Sequence, residues 1–273
     1  MDTFLFSSID CVRIDVSVVG FMNNAIGILD SGIGGVTVLK EILKLIPNYH
    51  YIYYSDSIHN PYGDKSKEEI IHYVDNIVKF FIHEGCKIIV FACNTATSIA
   101  IDTMRAKYQD IIFVGIEPAY KMVHDYSKNQ KTLVMATPAT LKSERFLNLY
   151  HHYDNQNTIL LACPNLASLI ENDKEEEILE YLKKVLPVNE NIEVVVLGCT
   201  HYPLIKKEIS QILGNVIFYD GGKGVAKRLK SILDSSKIMS TNRTSTIQFY
   251  DSSNSSFKEK RFYEILENEK SIL

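Results

Sequence analysis

Two segments of the chain read alike. They are Lys87-Ile-Ile-Val-Phe-Ala-Cys93-Asn94-Thr95 and Glu193-Val-Val-Val-Leu-Gly-Cys199-Thr200-His201. Each is an unbroken apolar run that ends at a cysteine and then turns polar, the pattern of a buried strand feeding a helix. A thiol at a helix start sits where the helix dipole favours thiolate, and such places lower a free thiol's pKa of about 8.5 by one to several units. One cysteine so placed suggests a nucleophile. Two in equivalent places suggest a pair of acid/bases facing each other across a small substrate. Such a pair takes a proton from one face of a carbon and returns one to the opposite face, which inverts a stereocentre. It needs one thiolate and one thiol at a time, with the roles exchanged in the reverse direction. Cys11, Cys86 and Cys163 lack this placement and read as small core residues.

Other chemistries use some of the same residues. Cys93, Cys199 and His201 name a metal site, but Cys-x-His supplies too few ligands and no closed zinc spacing is present. A covalent Cys-His hydrolase would use His201 or His59 as its base. Asp30, Glu171 and His201 are the charged groups expected near the thiols, able to orient them, exchange protons with them or meet a substrate ammonium. Glu171 reads equally as a surface carboxylate before a helix, and His201 as a structural histidine at a helix start.

A glycine-rich turn, Ser31-Gly32-Ile33-Gly34-Gly35, follows Asp30. It lacks the full G-x-G-x-x-G and the phosphate-loop lysine, so it is not a nucleotide site by motif. Its expected use is to offer backbone N–H groups to a carboxylate at a helix N-terminus. Asn94, Thr95, Thr137, Thr140 and Thr200 are short polar groups able to do the same, and each could instead be an ordinary helix cap.

Positioning these residues requires strand ends. Apolar runs at 26–29, 50–55, 87–92, 111–116, 131–136, 158–162, 193–197 and 216–219 read as strands. Helical patterns at 36–46, 67–84, 94–108, 143–150, 175–186, 202–213 and 224–235 separate most of them. The strands are continuous apolar runs, as in parallel sheets covered on both faces, which predicts an α/β fold. Ligands of such folds sit beyond the carboxyl ends of the strands. Asp30, Ser31, Asp56, Cys93, Asn94, Thr137, Cys199, Thr200, His201 and Asp220 all fall there. Residues 1–24 precede the first core strand and read as an N-terminal extension, with Met22 as the expected natural start. Residues 240–256 are rich in Ser, Thr and Asn and read as a linker to a short terminal strand, 247–250, and helix.

Composition narrows the class. At 273 residues the chain has material for one large or two smaller domains. It is 46% apolar and 23% charged, which excludes a disordered or collagen-like chain. The net charge of −4 gives no basic excess to attract nucleic acid, so a small acidic substrate must be held by local groups. Five cysteines with no C-x-x-C pair are read as reduced thiols of a cytoplasmic protein. No apolar run is long enough to span a membrane, and the acidic N-terminus is a poor signal peptide.

Five motifs complete the reading: Gly27-Ile-Leu-Asp-Ser-Gly-Ile-Gly-Gly-Val-Thr-Val38, Asn60-Pro-Tyr-Gly63, Ala92-Cys-Asn-Thr-Ala-Thr97, Gly115-Ile-Glu-Pro118 and Leu197-Gly-Cys-Thr-His-Tyr-Pro203. In order and spacing they resemble the motif set of the glutamate racemases, from about Ala25 to the C-terminal helix. The resemblance implies two pseudo-symmetric α/β domains, each a mostly parallel sheet flanked by helices, with the active site in the cleft between them. The expected division is 25–116 plus 224–273 for the first domain and 117–223 for the second. It implies an isomerase without cofactor or metal that interconverts L- and D-glutamate and supplies D-glutamate to peptidoglycan synthesis, working as a homodimer without nucleic-acid or membrane partners. Carried over, Cys93 and Cys199 are the two acid/bases, with Cys199 taking the α-proton of L-glutamate and Cys93 that of D-glutamate. Asp30, His201 and Glu171 assist. Ser31, Tyr62, Gly63, Asn94, Thr95 and Thr200 match substrate-holding positions, with Asp30 and His201 among them, and Thr137 and Thr140 join that shell. Two departures stand out: Thr137-Pro138-Ala139-Thr140 replaces a glycine-containing turn, and Phe146 stands where the family tends to have tyrosine. An aspartate racemase of the same two-cysteine design and a non-catalytic amino-acid-binding protein remain the rival readings. The second predicts loss of one thiol, and both are present.

Overall fold

A computed structural model of the chain describes residues 24–154, 156–236 and 244–268. Cys11, Met22 and part of the Ser/Thr/Asn-rich stretch lie outside those residues. The elements run β1 (Ile26–Asp30), α1 (Val36–Leu45), β2 (His50–Ser55), α2 (Lys67–His83), β3 (Ile88–Phe91), α3 (Asn94–Lys107), β4 (Ile112–Gly115) and α4 (Tyr120–Tyr126). Then follow β5 (Thr132–Ala136), α5 (Pro138–Lys142), α6 (Glu144–Tyr153), β6 (Thr158–Ala162), α7 (Leu166–Glu171), α8 (Glu175–Val185), β7 (Val194–Gly198), α9 (Lys206–Leu213), β8 (Ile217–Asp220), α10 (Gly222–Ser235), β9 (Thr246–Asp251) and α11 (Ser256–Glu267).

The strands form two sheets, ordered β4-β3-β1-β2-β9 and β6-β5-β7-β8. Every pairing is parallel. Read from its other edge, the second sheet is β8-β7-β5-β6, which repeats the order β4-β3-β1-β2 of the first. β3 and β7 therefore hold equivalent places, and so do β1 and β5. This is the structural origin of the echo around the two cysteines. After the second sheet the chain returns to the first: α10 packs on α1 and β9 pairs along β2.

Both faces of the central strands are covered, which explains their unbroken apolar runs. Ile26 and Ile28 face a core with Val36, Leu39 and Ile42 of α1 and Leu229 of α10. Leu29, pointing the other way, packs with Val74, Val78 and Phe81 of α2 and Ile101 of α3. Successive residues of a strand point to opposite faces, so both cores are fed from one strand. In the second sheet Leu133, Met135, Val195 and Leu197 face α8 and α9 through Leu182 and Ile209. Val134, Val194 and Val196 face Tyr120, Val123 and Phe146. Phe146 is thus a buried core side chain.

The helix starts follow local chemistry. Ser66 and Glu69 form a reciprocal capping box on α2, which satisfies two N–H groups the helix cannot pair itself. Ser143 caps α6 and Ser255 caps α11.

The structure departs from the sequence reading at several places. Helices α4, α5 and α7 are not evident in the sequence pattern, and each is shorter than two full turns. The helix expected from Tyr202 begins as a 3₁₀ turn, Tyr202–Ile205, before α9. The edge strands β6 and β8 leave Leu160 and Ile217 exposed instead of burying both faces. Among the described residues no helix is long and apolar enough to cross a membrane.

Candidate active site

Four strand ends supply the site. Asp30 is the last residue of β1, Cys93 lies two residues after β3, Thr137 follows β5 and Cys199 follows β7. Cys93 is the N-cap of α3, its sulfur accepting from the Ala96 N–H at 3.4 Å. Its thiol also reaches the Ser31 hydroxyl, 3.5 Å away. The expectation of a lowered pKa here is overturned. Burial pushes the Cys93 thiol up to about 12, the nearby Asp30 charge adds to this, and the Ala96 N–H and Ser31 hydroxyl only partly offset it. Cys93 is therefore held as a thiol in this site.

Cys199 has a different neighbour. His201 Nδ1 lies 3.8 Å from its sulfur. The other ring nitrogen, Nε2, is 2.6 Å from Glu171 Oε2. Both His201 and Glu171 are 1% exposed. Burial opposes charge on the imidazole, but Cys199 and Glu171 outweigh it and hold His201 well above its ordinary pKa. Burial likewise opposes charge on Glu171, and His201, Lys258 and the Ile33 N–H outweigh it and keep the carboxyl below its ordinary value. Cys199 thus faces an imidazolium backed by a carboxylate. Glu171 ends α7; it is not the surface carboxylate before a helix that the sequence also allowed.

The glycine-rich turn does hold carboxylates, but they are the chain's own. The Ile33 N–H donates to both Glu171 oxygens, at 3.0 and 3.2 Å. The Gly35 N–H donates to Asp30 Oδ2, and the Ser31 N–H donates to Oδ1 at 2.8 Å. The glycines permit close approach from the second sheet. A Cβ on Gly32 would lie 2.5 Å from Glu171 Oε2, and one on Gly34 would lie 2.4 Å from His201 Nδ1.

Asp30 links the two halves. Its Oδ2 accepts from the Thr200 hydroxyl at 3.1 Å, next to Cys199 in sequence. Burial raises its pKa to about 6; His201 lowers it, Glu171 raises it further, and the Ser31 and Gly35 N–H groups lower it. A second bridge joins three threonines: Thr95 Oγ1 meets Thr137 Oγ1 at 2.9 Å and Thr140 Oγ1 at 3.2 Å. Gly63 packs against the Thr137 side chain. Tyr62 is buried and donates to Asp56 at 2.5 Å. Asn94 is 3% exposed, and its Oδ1 is buried without a hydrogen-bond partner.

The structure therefore gathers Asp30, Ser31, Cys93, Asn94, Thr95, Thr137, Thr140, Glu171, Cys199, Thr200 and His201 around facing strand ends, with Tyr62 and Gly63 beside them. Cys86 and Cys163 sit in apolar cores, as expected. Among the described residues no group of three or more His, Cys, Asp or Glu side chains has the geometry to hold a metal ion. Sequence reasoning missed three contributors. Thr37 donates to the Thr200 carbonyl at 3.0 Å, Tyr53 donates to the Gly32 carbonyl at 2.9 Å, and Lys258 lies 3.4 Å from Glu171 Oε1. Thr37 and Tyr53 lie inside apolar patterns that hide them, and Lys258 follows the last strand, far from any motif.

The profile of the Asp/Glu/Hydantoin racemase family matches residues 26–229, a span that contains both site cysteines. A curated glutamate racemase of Clostridium acetobutylicum is 44% identical over 222 residues, which cover 80% of this chain and 87% of that protein. The chain belongs to this family. A glutamate racemase of Clostridium kluyveri is 42% identical over 248 residues, 88% of this chain and 96% of its own length. Among solved structures, glutamate racemase from Francisella tularensis in complex with D-glutamate has a TM-score of 0.77 at 30% identity, covering 91% of this chain and 95% of that one. Escherichia coli glutamate racemase, in complex with L-glutamate and the activator UDP-MurNAc-Ala, has a TM-score of 0.78 at 28% identity, covering 89% and 94%. The resemblance read from the five motifs is thus upheld, and the protein is an isomerase acting on amino acids.

Proposed function

We propose that the chain interconverts L- and D-glutamate by a two-thiol proton transfer. The observation that carries this reading is the pseudo-symmetric pair Cys93 and Cys199, each buried just past equivalent strands of two sheets, with unlike surroundings. In the L to D direction the Cys199 thiolate, facing the His201 imidazolium, takes the α-proton, and the Cys93 thiol gives its proton to the opposite face of the carbon. Cys199 ends as thiol and Cys93 as thiolate, and the return direction reverses both. No proton is gained or lost overall.

The α-proton is a very weak acid, so the developing negative charge must be met by fixed donors. Ser31, Thr95, Thr137, Thr140 and Thr200 offer hydroxyls for the substrate carboxylates. Asn94 Oδ1, buried and unpaired, is an acceptor for the substrate ammonium; a buried polar atom without a partner is costly until a ligand supplies one. The bound ammonium also helps Cys93 ionise, since a positive charge favours the thiolate that burial and Asp30 disfavour. Desolvation in a closed cleft strengthens each of these effects. In this reading residues 25–116 with 224–273 form one lobe and 117–223 the other. The lobes part to admit substrate and close on it. No cofactor or metal takes part. The resemblance further supports a cytoplasmic homodimer that supplies D-glutamate for peptidoglycan.

The test is incubation with L-glutamate in D₂O without pyridoxal phosphate or metal, following Cα deuterium by NMR together with optical rotation. Deuterium uptake with loss of rotation is expected, abolished in both Cys93→Ser and Cys199→Ser. The same run with L-aspartate distinguishes an aspartate racemase. No exchange with either amino acid refutes the proposal.

A further inference from the structure

The last helix belongs to the first sheet by packing. Phe262 of α11 is fully buried and lies against Phe249 of β9 and Tyr53 of β2, with ring centroids 4.4 and 4.7 Å apart. Yet one face of the same helix reaches α7 of the second half. Lys258 Nζ lies 3.4 Å from Glu171 Oε1. Three residues on, Arg261 Nη2 donates to the Ile170 carbonyl at 3.1 Å, and its Nη1 is 2.6 Å from Asp173 Oδ2. Residues three apart on a helix share a face. Arg261 thus adds a donor to a carbonyl at the end of α7 that already accepts from the Asp173 N–H, while Lys258 meets the carboxylate that holds His201. Lys258 is itself 14% exposed, so solvent screens this contact little.

We propose that Lys258 is a positioning residue for the Cys199 side of the reaction, acting through Glu171 and His201. The inference rests on the site assignment proposed above and deepens it. The contacts form a row running from Cys199 to His201, Glu171 and Lys258. With Cys199 as thiolate the charges along it alternate, negative, positive, negative, positive. Glu171 divides its two oxygens along this row: Oε2 takes His201 and Oε1 faces Lys258, and the Ile33 N–H bridges both. Buried carboxylates persist as anions only when fully partnered. Without Lys258, Glu171 is held by His201 and one N–H alone, and its grip on the imidazole orientation weakens. Because Lys258 comes from the first lobe and Glu171 from the second, the row is complete only when the two lobes are together. The C-terminal helix thereby ties closure to the orientation of His201.

The test compares Lys258→Met, Lys258→Arg, Glu171→Gln and the Glu171→Gln/Lys258→Met double variant, with Lys260→Met as a control at a position 78% exposed. Steady-state kcat and KM for L-glutamate are measured from pH 5 to 9, with thermal unfolding run alongside. The titratable groups facing Glu171 are His201 just before the 3₁₀ turn, Lys258 from α11, Asp30 from β1 and Tyr53 from β2. Lys258→Met is expected to lower kcat about 10–100-fold, the scale for a catalytic group displaced by about an ångström. It should also move the acid limb of the profile to higher pH, because Glu171 then protonates more readily. Lys258→Arg keeps the charge and is expected to restore the profile, and Lys260→Met to leave it unchanged. Arg261→Met, which loosens the helix without touching Glu171, should cost thermal stability but leave the acid limb in place. Three results overturn the inference: a Lys258→Met profile like the wild type beside an impaired Glu171→Gln, an equal further loss in the double variant, or the same shift in Arg261→Met. An unimpaired Glu171→Gln removes the Glu171 assignment itself, and this inference with it.

Discussion

Replacing Gly34 by alanine tests how closely the two halves must approach. The new Cβ would stand 2.4 Å from His201 Nδ1 and 2.7 Å from Cγ and Cε1. Comfortable separations begin at about 3.5 Å, so the overlap is roughly 1 Å against three ring atoms. The ring has nowhere easy to go. It is fully buried, its Nε2 is bound 2.6 Å from Glu171, and Nδ1 is the atom facing Cys199. Gly34 has no left-handed backbone angle, so an alanine there meets no conformational penalty of its own and the whole effect is steric. Overpacking of this kind costs about 1–3 kcal/mol. At about 2–4 °C per kcal/mol for a chain of this size, Tm should fall by roughly 2–12 °C. The catalytic cost is of similar size. A displacement of about 1 Å lowers rate about 10²-fold, equivalent to ~2.7 kcal/mol on the barrier. The assay is polarimetric kcat with L-glutamate, paired with calorimetry. Gly224→Ala is the control, since nothing lies within 4 Å of a Cβ there, and it should stabilise by about 0.4–1 kcal/mol. A Gly34→Ala enzyme with kcat within about threefold of wild type would refute the assignment of His201 as a fixed partner of Cys199.

Two further outcomes follow from the site. Asp30 titrates near 6 in the folded protein against 3.8 as a free side chain. Between those values the native state binds a proton that the unfolded chain does not. Its contribution to stability is therefore complete below 3.8 and lost as pH rises to about 6. At about 1.4 kcal/mol per unit this amounts to ~3 kcal/mol at most. Denaturant unfolding at intervals across pH 3.5–7 should show this loss in the wild type and not in Asp30→Asn, and parallel curves would contradict it. Thr95→Val removes a hydroxyl shared by the two halves. Thr137 and Thr140 keep their own 2.9 Å bond, so stability should drop by only about 1 kcal/mol. Because Thr95 is proposed to hold substrate, kcat/KM should fall about 10-fold or more; an unchanged kcat/KM would remove it from the site.

The fold was legible wherever burial on both faces wrote a continuous apolar run. β1, β3, β5 and β7 are such runs, and their 2-residue alternation between cores is invisible only because both faces are apolar. Helices α1, α2, α3, α8 and α10 are long enough for their apolar stripe to recur. α4, α5 and α7 span seven, five and six residues, too few for a period of 3.6 to declare itself. α7 is harder still, because its N-cap Asn165 takes a left-handed backbone angle and makes no side-chain cap. The side-chain cap that usually fixes a helix start is therefore missing at the helix that delivers Glu171.

The site was legible in proportion to how local its logic is. Cys93 and Cys199 announce themselves because each follows its own strand, and the repeated sheet order makes that placement occur twice. The protonation of Cys93 was not legible, since it depends on groups from other segments. The dipole argument would lower a thiol at this place, whereas burial and Asp30 raise Cys93 to about 12, and the imidazolium stands beside Cys199. The glycine-rich turn carries the same lesson. The sequence marks its N–H groups as carboxylate holders, but it does not say whose carboxylate. Asp30 is close in the chain, while Glu171 is brought in from α7 of the second sheet. That difference has a mechanistic consequence. Were the turn to hold substrate, Gly32 and Gly34 would be needed for the ligand's approach. Because it holds Glu171 and packs against His201, they are needed for the approach of the second half. A larger residue there should then impair the enzyme as a misassembled site does, by lowering kcat, and not as a blocked ligand pocket does, by raising KM alone.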